Sequence, residues 1–151
     1  KAAEVQEAVE DGADELDMVI NLAAVKAADW TYLQQEIEVI SALSQKEGKT
    51  LKLIIESGVL TDEEIIRCCE LYQQYGVQFL KTSTGYAERG ATVEAVQLMR
   101  QHLPSTIEIK ASGGIKTRAF AQQLIDAGAT RLGCSASVAI VKDEDTTAGG
   151  Y

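Results

Sequence analysis

Segments with the two-residue period of a strand alternate with segments of helical period, and this alternation constrains the fold most strongly. It predicts parallel βαβ units, because a helix must carry the chain back between two parallel strands. Three glycines that end helices are each followed, five positions later, by a residue on a strand. The pairs are Gly12 with Asp17, Gly76 with Lys81 and Gly128 with Gly133. Units that repeat at equal pitch favour a barrel over an open sheet.

Five strands are predicted, over 14–21, 51–56, 78–83, 107–112 and 131–135. The predicted helices cover 1–11, Asp29 or Thr31 to Lys46, a Thr61 capping box to Tyr75, 92–102, Thr117 to Gly128, and a short stretch from Ala136. These patterns predict an α/β chain.

A closed (β/α)8 TIM barrel has eight strands, and five alone would leave two hydrophobic edges open. We therefore expect residues 1–142 to be the C-terminal portion of a single barrel domain with about five of its eight βα units. Residues 143–151 are expected to form a flexible tail. The alternative is a five-stranded open sheet of the flavodoxin type.

Strand parity gives each predicted strand an apolar face and a charged face. In a barrel, one face packs on helices and the other points inward. The predicted inward set contains these charged residues: Asp17, Lys52, Glu56, Lys81, Glu108 and Lys110. Because buried charges are usually paired or used in chemistry, Lys52 and Glu56 are interpreted mainly as members of interior ion pairs, and the alternative for Glu56 is contact with the substrate.

Composition narrows the class of function. The net charge of −9 argues against a nucleic-acid surface, and no apolar run approaches the roughly 20 residues of a membrane span. A single histidine, His102, offers little material for a histidine triad or a zinc site. Cys68, Cys69 and Cys134 show neither metal nor disulfide spacing and suggest a reducing compartment. We expect a cytoplasmic protein that acts on a small molecule, with no nucleic-acid or membrane partner.

The strongest candidate for chemistry is Lys81, near the end of the apolar run Phe79-Leu80-Lys81-Thr82-Ser83-Thr84-Gly85. Alone, such a lysine would most simply extend from the strand end into water. Lys110, however, points inward near the end of the next strand, and a nearby cation favours the neutral, nucleophilic amine. Asp17, at a matching level on an earlier strand, is placed to hold a proton or to order a water.

Glycines follow the last two predicted strands. Gly113-Gly114 and Gly133-Cys134-Ser135 would lie in the loops after strands seven and eight of a complete barrel. Those loops usually form a barrel's phosphate site, with backbone N–H groups and a helix N-terminus facing the anion. The alternative for residues 133–135 is a plain tight turn between strand and helix.

Three segments together closely resemble the deoxyribose-phosphate aldolase family. They are residues 79–85, the run Ile109-Lys110-Ala111-Ser112-Gly113-Gly114-Ile115, and the run Glu15-Leu16-Asp17-Met18-Val19-Ile20-Asn21. The similarity covers essentially the whole chain, includes Leu51-Lys52-Leu53-Ile54-Ile55-Glu56-Ser57-Gly58, and corresponds to the C-terminal part of the family's chains.

The resemblance implies a class I aldolase on a (β/α)8 barrel, without a metal or organic cofactor. Such an enzyme interconverts 2-deoxy-D-ribose 5-phosphate with D-glyceraldehyde 3-phosphate and acetaldehyde in deoxyribonucleotide catabolism. By the same resemblance, Lys81 is the Schiff-base lysine, Asp17 and Lys110 transfer protons, and a homodimer or homotetramer is the expected assembly. The residues implied at the substrate phosphate are Thr84, Gly85, Gly113, Gly114, Gly133 and Ser135, and Tyr151 matches a terminal tyrosine that reaches back over the site.

Two positions depart from the family pattern, namely Tyr86, where some members carry lysine, and Ala136, where some carry serine. These departures bear on phosphate affinity rather than on the reaction. Two other functions stay open: a phosphosugar isomerase or synthase with the same phosphate loops, and an inactive fragment that needs its N-terminal part. Two inward lysines at strand ends are hard to explain in an isomerase, which forms no imine.

Overall fold

The computed structural model describes residues 1–143, in which five parallel strands alternate with helices. The strands are β1 (Glu15–Val19), β2 (Thr50–Ile54), β3 (Phe79–Lys81), β4 (Glu108–Ser112) and β5 (Arg131–Gly133). The helices are α1 (Ala2–Glu10), α2 (Leu22–Lys26), α3 (Trp30–Lys46), α4 (Asp62–Tyr72), α5 (Val93–His102), α6 (Arg118–Asp126) and α7 (Ser137–Lys142). Tyr151 and nearly all of the predicted tail lie outside the described residues.

Side-chain caps determine where the helices begin. Asp29 accepts a hydrogen bond of 3.0 Å from a backbone N–H of the first turn of α3. Thr61 and Glu64 form the predicted reciprocal capping box of α4. Asn21 was predicted as the last residue of a strand, but it caps the short helix α2 through its side-chain oxygen. The five residues of α2 are too few to show helical periodicity in the sequence.

The strands occur in the sheet in the order β1-β2-β3-β4-β5, and every neighbouring pair is parallel. A flavodoxin-type sheet has the order 2-1-3-4-5, so that alternative is wrong. Consecutive helices pack on one another, with α4 against α5, α5 against α6 and α6 against α7. The described chain is therefore an arc of five βα units of a (β/α)8 barrel.

The hydrophobic core lies between the apolar face of the sheet and the inner sides of the helices. Leu53, Leu80 and Ile109 are fully buried at the centre of three neighbouring strands. They belong to one cluster with Leu33 of α3 and Leu124 of α6. Burying a side chain of this size contributes about 1.5–3 kcal/mol to folding, and this face holds the arc in shape.

The strand register shows the stagger of a barrel. Neighbouring strands of a (β/α)8 barrel are offset by about one residue, so one level is formed by residues from alternate strands. Asp17 is in register, through β2, with Phe79, and two residues further along β3 is Lys81. Lys81 is in register, through β4, with Arg131, and two residues further along β5 is Gly133. Asp17, Lys81 and Gly133, which the five-residue spacing predicted to share a level, form what we call the upper layer.

A second layer, two residues earlier on the same strands, consists of Glu15, Phe79 and Arg131 and is called the lower layer. Arg131 Nη1 lies 2.6 Å from Glu15 Oε2. The guanidinium carbon of Arg131 lies 4.5 Å from the centroid of the Phe79 ring. The lower layer thus joins β1, β3 and β5 across the inner face of the sheet.

Candidate active site

Asp17 is the centre of a cluster of charges in and beside the upper layer. Its Oδ1 lies 3.1 Å from Lys81 Nζ and 3.6 Å from Lys110 Nζ. Its Oδ2 lies 3.0 Å from Lys52 Nζ. The structure therefore brings together the three predicted catalytic residues and adds Lys52, so that one carboxylate faces three ammonium groups.

The strands explain why the two candidate lysines meet. Lys81 is the last residue of β3 and is the direct register partner of Lys110 on β4. Register partners on adjacent strands point to the same face of the sheet and lie about 4.8 Å apart in the hydrogen-bonding direction. The side chains of Lys81 and Lys110 are 12% and 17% exposed, so both are largely shielded from water.

Burial and neighbouring charges have opposite effects on the pKa values of the cluster. Burial acts to raise the pKa of Asp17, but hydrogen bonds from Lys52 and Lys81 outweigh it and hold the pKa below the ordinary aspartate value. Burial lowers the pKa of Lys110, and the ammonium group of Lys81 lowers it further against the attraction of Asp17. An ionised carboxylate beside an amine of lowered pKa is suited to proton transfer.

Lys52 and Glu56 have different roles. Lys52 is 1% exposed and bridges Asp17 and Glu15, at 3.0 and 3.2 Å, which confirms its interpretation as a member of an interior ion pair. That interpretation is wrong for Glu56, because none of the ion pairs within residues 1–143 includes it. Glu56 instead accepts hydrogen bonds from Thr84.

Buried hydroxyl groups hold the ends of β3 and β4 together beside the lysines. Thr82 Oγ1 donates to the Ser112 carbonyl oxygen at 3.2 Å and accepts from the Ser112 N–H at 3.1 Å. Ser112 Oγ donates to the Ser83 carbonyl oxygen at 2.6 Å. This network fixes the backbone that follows Lys81, since these hydroxyls are shielded from water.

A pocket of about 380 Å³ opens at the C-terminal ends of β3, β4 and β5, and Lys81 and Lys110 form part of its wall. All six residues expected at the phosphate line it, namely Thr84, Gly85, Gly113, Gly114, Gly133 and Ser135. Four further lining residues were not predicted, namely Ser112, Ile115, Lys116 and Cys134. Lys116 could have been predicted from the sequence as a pocket residue, because it is a cation two positions after the Gly-Gly pair.

Gly133 keeps the space beside Lys110 open. A Cβ atom built on Gly133 would lie 2.9 Å from Ser112 Cβ and 3.4 Å from Lys110 Cε. Real Cβ atoms essentially never approach to the first of these distances, so any side chain here would displace the pocket wall. The upper layer thus contains a gap where the lower layer has an arginine.

Other kinds of site find little support in residues 1–143. No group of three or more His, Cys, Asp or Glu in this part of the chain is arranged to hold a metal ion. Burial raises the pKa of both the Cys68 and Cys69 thiols to about 12. None of the helices described is both long enough and apolar enough to cross a membrane.

Several known proteins are similar to this chain in sequence and in fold. Residues 1–142 match the model of the DeoC/LacD family aldolase. The deoxyribose-phosphate aldolase of Lactococcus lactis subsp. lactis is 49% identical over 142 residues, which are 94% of this chain and 64% of that protein. The deoxyribose-phosphate aldolase of Thermococcus gammatolerans is 47% identical over 142 residues, which are 94% of this chain and 63% of that protein.

A solved structure described as the unique tetrameric structure of deoxyribose phosphate aldolase from Aeropyrum pernix superposes with a TM-score of 0.83 at 29% identity. The superposition covers 94% of this chain and 59% of that one. The chain thus spans slightly less than two thirds of the length of the first curated relatives that it matches. Because the family model matches residues 1–142 and the two relatives are nearly half identical, the chain belongs to the DeoC/LacD family of aldolases.

Proposed function

We propose that this protein is a deoxyribose-phosphate aldolase that cleaves 2-deoxy-D-ribose 5-phosphate through a Schiff base on Lys81. The observation that carries the proposal is the convergence of Lys81 Nζ and Lys110 Nζ on Asp17 Oδ1, at 3.1 and 3.6 Å, beside a glycine-lined pocket. An imine-forming lysine needs a nearby group that transfers protons, and Asp17 and Lys110 both lie beside Lys81. The names of the curated relatives support the same activity.

The reaction begins when neutral Lys81 attacks C1 of the open-chain aldehyde. The resulting carbinolamine loses its hydroxyl group as water, with a proton that Lys110 supplies, and leaves a protonated imine. The iminium carbon C1 is bonded to C2, so the iminium can accept the electron pair of the C2–C3 bond when that bond breaks. Asp17 keeps its charge throughout this step because Lys52, which takes no part in the reaction, stays 3.0 Å from its Oδ2.

Bond cleavage follows when the C3 hydroxyl gives up its proton, through a water ordered by Asp17, to the Lys110 amine, which became neutral when it supplied a proton during imine formation. The C3 oxygen becomes a carbonyl, the C2–C3 bond breaks, and its electron pair neutralises the iminium to give an enamine. Glyceraldehyde 3-phosphate leaves, the enamine is protonated at C2, and water releases acetaldehyde and regenerates Lys81. Acid–base assistance of this kind contributes roughly 10²–10⁴-fold to a rate.

The proposed position of the substrate phosphate is against the glycine-rich part of the pocket wall. Gly85, Gly113, Gly114 and Gly133 provide backbone close to the anion, and Ser135 provides a hydroxyl group. Lys116 lies in the same wall and adds a positive charge there, although the whole chain carries −9. A local cation next to backbone N–H groups is the usual solution to phosphate binding in barrels.

We further propose that residues 1–142 belong to one barrel domain and that the protein works in the cytoplasm as a homodimer or homotetramer, in deoxyribose phosphate catabolism. The Aeropyrum pernix relative is tetrameric, which supports self-association. Free Cys68, Cys69 and Cys134 suit a reducing compartment. Light scattering coupled to gel filtration tests the assembly, and a monomer at micromolar concentration would contradict it.

Reductive trapping tests the central proposal. The protein is incubated with acetaldehyde, reduced with borohydride and digested, and the modified lysine is identified by mass spectrometry. We expect one ethylated lysine, Lys81, and no adduct in Lys81→Ala, whose cleavage activity should also disappear. An isomerase or synthase would give no adduct at all.

A second arm separates an inactive fragment from a wrong function. The same trapping is applied to a chimera in which the preceding βα units of the Lactococcus lactis relative are joined to this chain. An adduct at Lys81 only in the chimera would show that this chain needs those units. A folded chimera without an adduct would refute the aldolase assignment.

A further inference from the structure

Glu56 is the only aspartate or glutamate in residues 1–143 that is fully buried, at 5% exposure. It lies two residues beyond the end of β2 and takes no part in the charge cluster around Asp17. Burying a carboxylate is costly unless hydrogen bonds compensate for the lost water. The partners of Glu56 therefore indicate what this buried charge does.

Both donors of Thr84 are directed at the Glu56 carboxylate. Thr84 Oγ1 donates to Oε2 at 2.5 Å, and the Thr84 N–H lies 3.3 and 3.2 Å from Oε1 and Oε2. Hydrogen bonds to an ionised acceptor are shorter and stronger than those between neutral groups. The Thr84 hydroxyl oxygen also accepts from the Tyr86 N–H at 3.2 Å, so its bonding capacity is nearly filled within the protein.

The backbone of Glu56 adopts a left-handed conformation, with φ 53° and ψ 56°. This region is unfavourable for a residue with a Cβ atom, and glycine occupies it freely. A strained backbone persists where the surrounding contacts hold it, and such positions cluster at functional sites. At Glu56, backbone hydrogen bonds from Ile55 and Ser57 to the strand of Lys81 and from Val59 to the Glu56 carbonyl hold the main chain, and Thr84 holds the side chain.

The Thr84-Gly85 segment is held on its opposite side by the loop after β4. A Cβ atom on Gly113 would lie 3.4 Å from Gly85 Cα, so the two loops are in close contact through glycines. Glu56 on one side and Gly113 on the other thus fix the segment that follows Lys81 by three residues. The same segment forms part of the pocket wall.

We propose that Glu56 is a positioning residue that anchors Thr84 and thereby sets the distance between the phosphate end of the pocket and Lys81. Thr84 then supports the pocket wall. The hydrogen bonds to the phosphate come from the backbone N–H groups of the glycines and from the Ser135 hydroxyl group. The inference rests on the proposed function for the identity of the substrate. It predicts that loss of the Glu56 carboxylate weakens recognition of the phosphate while the amine chemistry of Lys81 continues.

Three substitutions separate the carboxylate from the backbone strain. Glu56→Gly removes the anchor and relieves the left-handed strain, so loss of function in this variant cannot come from strain. Glu56→Gln keeps an acceptor for Thr84 and is the conservative rescue. Thr84→Val removes the hydroxyl donor from the other side of the same contact, and circular dichroism checks that every variant is folded.

Two readouts are compared in each variant, namely the affinity for inorganic phosphate by calorimetry and the trapping of acetaldehyde on Lys81. We expect Glu56→Gly and Thr84→Val to weaken phosphate binding about 10- to 100-fold, the range for a lost hydrogen bond to a charged group. Glu56→Gln should stay within a few-fold of wild type. Glu56→Gly combined with Thr84→Val should be little worse than either alone, because both remove one contact.

Different results would contradict the positioning role of Glu56 and the Schiff base on Lys81. Unchanged phosphate affinity in folded Glu56→Gly, or equal losses in Glu56→Gly and Glu56→Gln, would overturn the positioning role. A parallel loss of acetaldehyde trapping in Glu56→Gly would also overturn it, since the anchor would then support the lysine itself. No trapping in either the wild-type chain or the chimera, together with the expected phosphate pattern, would refute the Schiff base and support the role of Glu56.

Discussion

The two layers inside this arc come from the same three strands and carry similar residue types, yet they are built for different purposes. In the lower layer, one carboxylate meets a guanidinium at 2.6 Å and an aromatic ring fills the remaining space. In the upper layer, one carboxylate faces three ammonium groups, and Gly133 leaves a gap that opens to the pocket. The side chains of the lower layer contact one another, whereas the upper layer opens onto the pocket.

The difference lies in charge balance and in space. Arg131 pairs with the Glu15 carboxylate and stacks on Phe79, so both charged groups of the lower layer already have partners. Asp17 cannot neutralise three ammonium groups, so the upper layer keeps excess positive charge next to a cavity. Such a site suits a phosphorylated carbonyl compound, because it attracts an anion and lowers the cost of a neutral amine. If the two layers act independently, a substitution in one of them should leave the other unchanged.

The largest effect is expected from Lys81→Met, which keeps the stem of the side chain and removes the amine. The trapped adduct should disappear, and cleavage should fall by roughly 10⁴-fold or more, as is usual when a covalent nucleophile is lost. Urea unfolding should change little, because Asp17 keeps Lys52 and Lys110 as partners. Retained trapping at a second lysine in this variant would contradict the assignment.

Asp17→Asn should lower the rate of cleavage about 10²–10⁴-fold, the usual contribution of a group that transfers protons. It should also change the dependence of stability on pH. The pKa of Asp17 is lower in the folded protein, so its contribution to stability is complete above its unfolded pKa and is lost as pH falls through the lowered folded value. Urea unfolding between pH 5 and about pH 2 should therefore show a shallower acid loss in Asp17→Asn than in wild type. Parallel acid profiles in the two proteins would show that Asp17 is not the group responsible.

Gly133→Ala tests the gap in the upper layer. The added methyl group meets Ser112 Cβ and Lys110 Cε, and overpacking of this kind costs about 1–3 kcal/mol. We also expect KM for the phosphorylated substrate to rise about tenfold, because the methyl group occupies the gap; tenfold corresponds to about 1.4 kcal/mol of binding free energy. Acetaldehyde is small, so its trapping on Lys81 should persist and serve as the internal control. An unchanged KM would mean that the gap does not hold substrate.

Sequence reasoning predicted the upper layer more completely than the lower one. The spacing of five residues after three helix-ending glycines predicted that Asp17, Lys81 and Gly133 lie at a similar height on their strands. Arg131 and Glu15 are separated by 116 residues, and only the curvature of the sheet brings them together. No local pattern in the sequence contains that information.

Glu56 shows a second limit of sequence reasoning. Its parity on the predicted strand suggested an inward ion pair, but β2 ends at Ile54 and the chain leaves the strand before reaching Glu56. Its left-handed backbone conformation and its bonds to Thr84 depend on how two loops meet. Side-chain parity holds only as far as the strand does.

The smallest effect is expected from Arg131→Gln, which removes the ion pair of the lower layer and the stacking on Phe79. An exposed ion pair adds little to stability, and a guanidinium over a ring contributes about 0.5–1 kcal/mol, so the midpoint of urea unfolding should fall only slightly. Arg131→Lys keeps the charge but not the planar stacking, so its midpoint of urea unfolding should lie between those of wild type and Arg131→Gln.

Lys52 contacts both Glu15 and Asp17 and is the route by which the layers could influence each other. If they are independent, Arg131→Gln traps acetaldehyde on Lys81 as wild type does, because Asp17 keeps all three of its ammonium neighbours. If trapping falls along with stability, Glu15 released from Arg131 has drawn Lys52 away from Asp17. The two layers would then be one charge network, and the upper layer could not be treated as a separate site.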